Sequence, residues 1–381
     1  MRIGFVSIQN AMDVTSWSGI PFQILSEMKQ QGADVRVLTP LHSRAKYFLA
    51  PAKLLAKLQG RSLTLDHFRI VLEDYARQID AFVRRQAIDV VFCPSTIPIT
   101  LLKCEQPIVT WTDAVFHSMH QYYGKAFTNL SASGVQRGKW QEETALRNCD
   151  IAVFASNWAL NEARHLVDGS RFQFLPFGSS LPVKHSAEDV SRWASDKRTS
   201  RRNRCELLFV GANWERKGGA IAVETAKLLN DAGIETILRV AGSSPNGEVP
   251  KFVELLGFIN KSSEIGKQKL VELFQSSDVF ILPTKAEAAG IVFAEASSYG
   301  LPSVTYATGG VSDYVRTGIN GICLAPGEPA SRFAEEIRKL LASPAEYKAY
   351  SIRAYQEYKT RLNWQSSVRK LIEYCRQSAA L

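Results

Sequence analysis

The feature that most constrains this chain is a recurrence of short apolar, β-branched runs bounded by turn residues, separated by stretches whose apolar residues return every three or four positions. The runs fall at residues 3–8, 35–38, 90–93, 108–111, 151–155 and 172–175, and a second series at 207–210, 237–241, 279–282, 304–306 and 321–323. Continuous apolar runs of this length read as strands buried on both faces, as in parallel sheets. The clearest intervening stripe, Phe68, Val71, Tyr75, Ile79 and Phe82, lines one face of a helix. Alternating strand and helix patterns predict an α/β fold of doubly wound sheets, and two series predict two such units in tandem.

The 381 residues accommodate two domains of similar size. The expected boundaries are a first domain over 1–185, a polar, basic linker over 186–204 carrying Lys197, Arg198, Arg201, Arg202 and Arg204, a second domain over 205–360, and a terminal helix over 361–381 with Trp364, Val368, Leu371, Ile372 and Cys375. With 45% hydrophobic and 22% charged residues the chain is too apolar for intrinsic disorder. The six cysteines are scattered without a Cys-x-x-Cys pair, which implies reduced, buried thiols.

Lys and Arg exceed Asp and Glu, 46 against 37, giving a field suited to phosphates, nucleic acid or an anionic membrane. No aromatic residues interleave with the charges of 197–204, so nucleic-acid binding is not expected. Another basic stretch sets Arg44, Lys46, Lys53, Lys57 and Arg61 among Phe48, Leu49, Leu54, Leu55 and Leu58. Such a surface can hold a protein to anionic lipid, but Pro51 is expected to interrupt the helix, and ordinary packing is the favoured reading. The opening residues alternate like a strand and lack the features of a secretory signal, and no window approaches 18 consecutive apolar residues. A cytoplasmic protein is expected, with peripheral contact at the inner face of a membrane as the remaining reading.

The most informative window follows the run at 279–282 and contains Glu287-Ala-Ala-Gly290-Ile291-Val292-Phe-Ala-Glu295, then Gly300-Leu-Pro. A strand, a small-residue loop and a helix place the first-turn N–H groups of Ile291 and Val292 at the carboxyl end of a sheet, where anions bind in open α/β folds. Gly290 lets backbone approach a ligand. An acid beside a phosphate is unfavourable unless it accepts hydrogen bonds from hydroxyls, which sugars supply. Glu295, leaning back toward the helix start, can reach a ribose, and Glu287 a second sugar beyond the phosphates. The plainer alternative makes Glu295 an electrostatic cap and Glu287 a solvated loop acid.

A second loop at the same end of the same expected sheet is Gly211-Ala-Asn-Trp214-Glu-Arg216-Lys217-Gly218-Gly219. Arg216 and Lys217 can clamp a diphosphate, whose charge grows as it departs; an exposed basic pair on a turn is the alternative. In the first unit, Ser16-Trp-Ser-Gly19-Ile joins the first strand to a helix and can face a ligand, but it is not a Gly-x-Gly-x-x-Gly fingerprint, and no Walker loop occurs. Asp113 and His117 follow the run at 108–111, and either can orient or deprotonate an acceptor hydroxyl or simply serve the packing. His117 and His120 lack a plausible third metal ligand and no Asp-x-Asp occurs, so no metal site is expected.

Taken together, the Glu287-x7-Glu295 window, Gly300-Leu-Pro, Thr308-Gly-Gly-Val, Trp214-Glu-Arg216-Lys217-Gly-Gly, Trp-Thr-Asp113-Ala, Ala155-Ser-Asn-Trp-Ala and Leu175-Pro-Phe-Gly178 resemble the retaining glycosyltransferases of family 4. The resemblance implies the GT-B fold: two Rossmann-like doubly wound domains facing across a cleft, with the C-terminal helix crossing back onto the first. It further implies that Arg216 and Lys217 bind the donor diphosphate, that Glu287 contacts donor-sugar hydroxyls and that Glu295 contacts the ribose. Two positions depart from the family pattern: Ala212 stands where Arg is frequent, and the first loop has Ser18-Gly19 in place of Gly-Gly. The implied reaction moves a hexose-type sugar from a nucleotide sugar to an acceptor hydroxyl of a glycan, lipid or small molecule, with retained configuration and no cofactor or obligatory metal. Asp113 and His117 then shape the acceptor site, and the loops around Phe258 and Gly19 set donor and acceptor choice. A nucleotide-sugar epimerase or a non-catalytic nucleotide-sugar-binding protein of the same fold is the rival reading.

Overall fold

The computed structural model describes residues 1–124, 129–200 and 203–380. It divides into two units, Met1–Leu175 with Ser367–Leu381, and Pro176–Ser366.

The first unit holds a six-stranded parallel sheet of β1 (Arg2–Val6), β2 (Asp34–Leu38), β3 (Val90–Cys93), β4 (Ile108–Thr112), β5 (Ile151–Phe154) and β6 (Phe172–Phe174), in the order β2-β1-β3-β4-β5-β6. Its helices are α1 (Ile20–Gln30), α2 (Ala45–Leu58), α3 (Arg69–Gln86), α4 (Phe116–Tyr122), α5 (Ala132–Asn148) and α6 (Asn157–Arg164). The stripe read from the sequence is real: Val71, Tyr75 and Ile79 of α3 are buried, in one core with Val91 and Cys93 of β3. β1 has a parallel neighbour on each side, pairing Ile3 with Val35 and with Val90.

The second unit contains α7 (Ala187–Ser200), β7 (Arg204–Val210), α8 (Trp214–Lys217), α9 (Gly219–Asp231), β8 (Glu235–Ala241), β9 (Val253–Leu255), α10 (Glu264–Ser276), β10 (Val279–Leu282), α11 (Ile291–Ser298), β11 (Ser303–Tyr306), α12 (Val311–Tyr314), β12 (Gly321–Leu324), α13 (Ala330–Ala342) and α14 (Pro344–Thr360). A last helix, α15 (Trp364–Ala379), starts in this unit and ends in the first. The sheet order is β12-β11-β10-β7-β8-β9, all parallel. Strand order therefore reverses between β7 and β10, whose Leu207 and Leu208 pair with Val279 and Phe280. Loops leaving the carboxyl ends of two such strands diverge and open the crevice in which doubly wound sheets bind ligands.

Two local expectations are corrected. The segment 186–204, read as a linker, is mostly helix α7 followed by the start of β7. Ser186 and Asp189 form a capping box at its start, Asp189 N donating to Ser186 Oγ at 3.2 Å and Ser186 N to Asp189 Oδ2 at 2.9 Å. Near its other end Arg198 is buried against Asp278 at 2.8 Å, and Lys197 donates to Ser277 O at 2.6 Å. These two cations thus bind their own unit; Arg201 and Arg202 lie outside the described residues. The chain passes from one unit to the other at residues 175–176 instead. Second, Pro51 does not interrupt its helix, because α2 runs through it.

Strand β9 was absent from the sequence reading. Only Val253 of its three residues is buried, so it carries no continuous apolar run. The six cysteines are free thiols; burial pushes Cys93, Cys149, Cys323 and Cys375 up to about 12, which keeps them protonated and unreactive.

Candidate functional site

The loops after β7 and β10 fasten to each other at the reversal point. Lys285 N donates to Arg216 O at 2.8 Å, and Gly218 sits so close to Pro283 that a Cβ would lie 2.1 Å from its carbonyl oxygen. Gly218 also has φ of +77°, so only glycine serves both demands. Short α8 is capped by Asn213, whose Oδ1 accepts from Arg216 N at 2.9 Å.

This docking brings three expected residues together. Lys217 Nζ is paired with Glu287 Oε2, Arg216 Nη1 stands 3.8 Å from the same oxygen, and Arg216 Nη1 also donates to Ala286 O at 2.6 Å. One guanidinium and one ammonium around a single carboxylate leave local positive charge for a further anion. Gly310 N, from the loop after β11, donates to Glu287 O at 2.9 Å, so the Thr308-Gly-Gly-Val stretch holds the backbone of the acid.

Gly290 is the N-cap of α11, and Ile291 and Val292 open that helix. A Cβ at 290 would sit 2.3 Å from the Phe293 ring, so glycine is needed here for packing as well as for any approach by a ligand. Glu295 is fully buried on α11, and each of its oxygens accepts from Lys261 Nζ at 2.7 Å. The charge of Glu295 is therefore met by Lys261. Lys261 was not foreseen from sequence; it lies in the loop after β9, close in the chain to the exposed Phe258, and nothing in its local pattern signals a partner 34 residues away.

In the first unit, Gly19 caps α1 with φ of +80°, preceded by Trp17 and Ser18, also in the left-handed region. Asp113 follows β4 half-buried, and His117 lies on the first turn of α4. His117 Nε2 is 3.4 Å from Glu143 Oε1, while its buried Nδ1 has no hydrogen-bond partner. Burial and then the charge of Lys139 pull His117 below 6.5, against the opposing pull of Glu143, which favours neutral imidazole near pH 7. Glu143 was not foreseen. Among the described residues, no three His, Cys, Asp or Glu side chains gather in a metal-binding arrangement, and no helix is long and apolar enough to cross a membrane.

Residues 191–357 match the family model of the glycosyl transferases group 1. Among curated relatives, the D-inositol 3-phosphate glycosyltransferase 1 of Catenulispora acidiphila is 29% identical over 185 residues, covering 45% of this chain and 44% of that protein. The chain spans about half the length of the curated relatives it matches. Solved structures match along its length: sucrose-phosphate synthase from Thermosynechococcus elongatus at TM-score 0.69 and 15% identity, covering 100% of this chain and 99% of that one. Anabaena HepE in complex with UDP and glucose matches at TM-score 0.65 and 14% identity, covering 99% and 100%. The two doubly wound units are those of the GT-B fold. The similarity to the glycosyl transferases group 1 family thus falls on residues 191–357, within the second unit.

Proposed function

We propose that this protein is a retaining glycosyltransferase that moves a hexose-type sugar from a nucleotide sugar to an acceptor hydroxyl of a glycan, lipid or small molecule, without an obligatory metal. The observation that carries this reading is the cluster of Arg216, Lys217 and Glu287 at the strand-order reversal of the second sheet, with Glu295 in the helix that follows. Arg216 and Lys217 take the donor pyrophosphate, assisted by the first-turn N–H groups at Ile291 and Val292. They stabilise the charge that the diphosphate gains as the glycosidic bond breaks, a task that a divalent metal ion can otherwise perform. Glu287 accepts from donor-sugar hydroxyls. Glu295, once Lys261 gives way, accepts from the ribose. The departing phosphate assists deprotonation of the acceptor on the same face, so no side chain need become a covalent nucleophile. Asp113 and neutral His117 belong to the acceptor side, and the loops carrying Phe258 and Gly19 select the ligands.

HepE was solved with UDP and with UDP-glucose, which makes uridine nucleotides the first probes. The test is a thermal-shift series with UDP, GDP, ADP and their sugars, since a ligand bound only by the folded chain raises apparent stability. A shift with one nucleoside diphosphate and its sugar, donor turnover that persists in EDTA, and an α-configured product from an α-linked donor are expected. No shift with any nucleotide would remove the basis of the proposal. Mass-neutral isomerisation of the donor without acceptor would instead identify an epimerase.

A further inference from the structure

Helix α2 of the first unit plays no part in the proposed chemistry and buries little of its surface. Ala45 alone is buried along it, and Leu49 reaches the core only partly. Tyr47, Phe48, Leu54, Leu55 and Leu58 are 79%, 82%, 61%, 57% and 77% exposed. At 3.6 residues per turn these five and Pro51 share one arc of about 120°, roughly opposite Ala45, Leu49 and Ala56. Exposed apolar side chains are ordinary when scattered, whereas a contiguous stripe of large ones on one helix marks an interaction surface.

The charges around this stripe have one sign. No acid occurs in the sequence between Asp34 and Asp66, while Arg44, Lys46, Lys53, Lys57 and Arg61 fall within that interval. Lys46 is paired with Asp66 at 2.7 Å; Lys53 and Lys57 have no ion-pair partner among the described residues. Lys46, Lys53 and Lys57 fall together on the other side of the helix, about 120–160° from the centre of the apolar arc. As the polar face of an amphipathic helix, they lie where long stems can bring ammonium groups to the polar layer above a surface that the arc enters. The complement of such a face is hydrocarbon bordered by a layer of negative charge.

We propose that α2 docks the first unit onto an anionic lipid surface. Tyr47, Phe48, Leu54, Leu55 and Leu58 enter the boundary between headgroups and acyl chains, and Lys53, Lys57 and Arg61 lie against lipid phosphates. The proposal is independent of the pyrophosphate-binding cluster, whose Arg216, Lys217, Glu287 and Glu295 all lie in the second unit.

The experiment is sedimentation of the full chain with vesicles of phosphatidylcholine and phosphatidylglycerol at 7:3, or of phosphatidylcholine alone, in 50 mM and 500 mM NaCl. Partition into the anionic vesicles at low salt is expected, about tenfold weaker on neutral vesicles or at high salt. Leu54→Ser with Leu58→Ser lowers it by at least about tenfold, and Lys53→Gln with Lys57→Gln removes most of the salt dependence. Both double variants change exposed positions, so unaltered circular dichroism melting separates lost docking from lost folding. Equal partition into both vesicle types, or variants that sediment like the parent, would overturn the proposal. So would light scattering that finds a dimer dissociated by Leu54→Ser with Leu58→Ser in a protein that ignores vesicles, because the stripe would then join two copies of the chain.

Discussion

At the scale of single residues, Glu287 occupies the oxygen-binding face of the two cations proposed to take the donor pyrophosphate. A nucleoside diphosphate must therefore compete with this carboxylate for Lys217, while a sugar hydroxyl gains it as an acceptor. Glu287→Gln separates these effects. Transfer kcat/KM is expected to fall by about 1.5 to 3 kcal/mol, roughly tenfold to 150-fold, as a charge-assisted hydrogen bond becomes a neutral one. Affinity for the bare diphosphate is expected to stay level or rise; parallel loss of both, by calorimetry and by initial rates, would refute the assignment. These residues were legible in the sequence because each sits a few positions after a recognisable strand. Lys261 and Glu143 were not, because their partners Glu295 and His117 come from other elements. Two buried residues of the first unit titrate in opposite senses. Burial raises Glu142 to about 7, although its carboxylate accepts from Phe116 N at 3.2 Å, and burial lowers His67 to about 4. The folded state keeps the Glu142 proton that the unfolded chain loses near 4.5, so stability falls as pH rises from about 4.5 to 7. The folded state refuses the His67 proton that the unfolded chain accepts near 6.5, so stability also falls as pH drops from about 6.5 to 4. The two slopes oppose each other between pH 4.5 and 6.5. Urea melts of Glu142→Gln are expected to show stability that climbs to about pH 6.5 and then stays flat, with a gain of up to about 3 kcal/mol at pH 8. A profile parallel to the parent's would exclude Glu142 as the titrating group.

At the scale of elements, α7 shows how tertiary partners turn an apparent linker into structure. Its apolar residues are few and its end is crowded with cations, so periodicity favours a solvated segment, although the Ser186–Asp189 capping box was present as a start signal. Its fixed end is set by Arg198, which lies over the Tyr347 ring at 5.1 Å and beside the buried Asp278, whose Oδ2 also accepts from Glu206 N at 2.7 Å. Asp278 and Tyr347 are both far from Arg198 in sequence. Arg198→Met strands the buried carboxylate and is expected to destabilise the second unit by about 3 to 5 kcal/mol in denaturant melts. Arg198→Met with Asp278→Leu should regain most of that loss, since the uncompensated charge is gone; a double variant no better than the single would show that packing, not charge, sets the cost. Helix α2 fails as a sequence reading for the converse reason. The proline rule assumes that interior hydrogen bonding decides, yet Pro51 is exposed and α2 runs through it without a break. Strands announced themselves wherever they were buried on both faces, and the three-residue edge strand β9 did not.

At the scale of the whole molecule, the chain leaves the first unit after Leu175 and returns to it at Ser367. The alternation of strand and helix predicted two units, but strand order, and with it the reversal between β7 and β10, depends on pairing between runs far apart in sequence and was not readable. The turn back is anchored within the second unit, where Phe177 stacks on Trp364 at 5.5 Å and Ser179 N donates to Leu362 O at 3.1 Å. A Cβ at Gly178 would stand 2.2 Å from Trp364 N, so this approach of two segments requires glycine. Beyond that anchor, α15 buries Val368, Leu371, Ile372 and Cys375, and Tyr374 reaches Gln173 at 3.4 Å. Stability of the first unit must then depend on residues that follow the second in sequence. Leu371→Ala, at a fully buried position, is expected to cost about 2 to 5 kcal/mol from lost transfer energy and the cavity left behind. Calorimetry can tell which unit bears that cost. If the units unfold in separate transitions, Leu371→Ala lowers one and Arg198→Met the other, and a nucleotide that binds the second unit raises only the transition that Arg198→Met lowers. If Leu371→Ala and Arg198→Met lower the same transition and leave the other in place, α15 does not contribute its stability to the first unit, and the division of the chain at Ser367 is wrong.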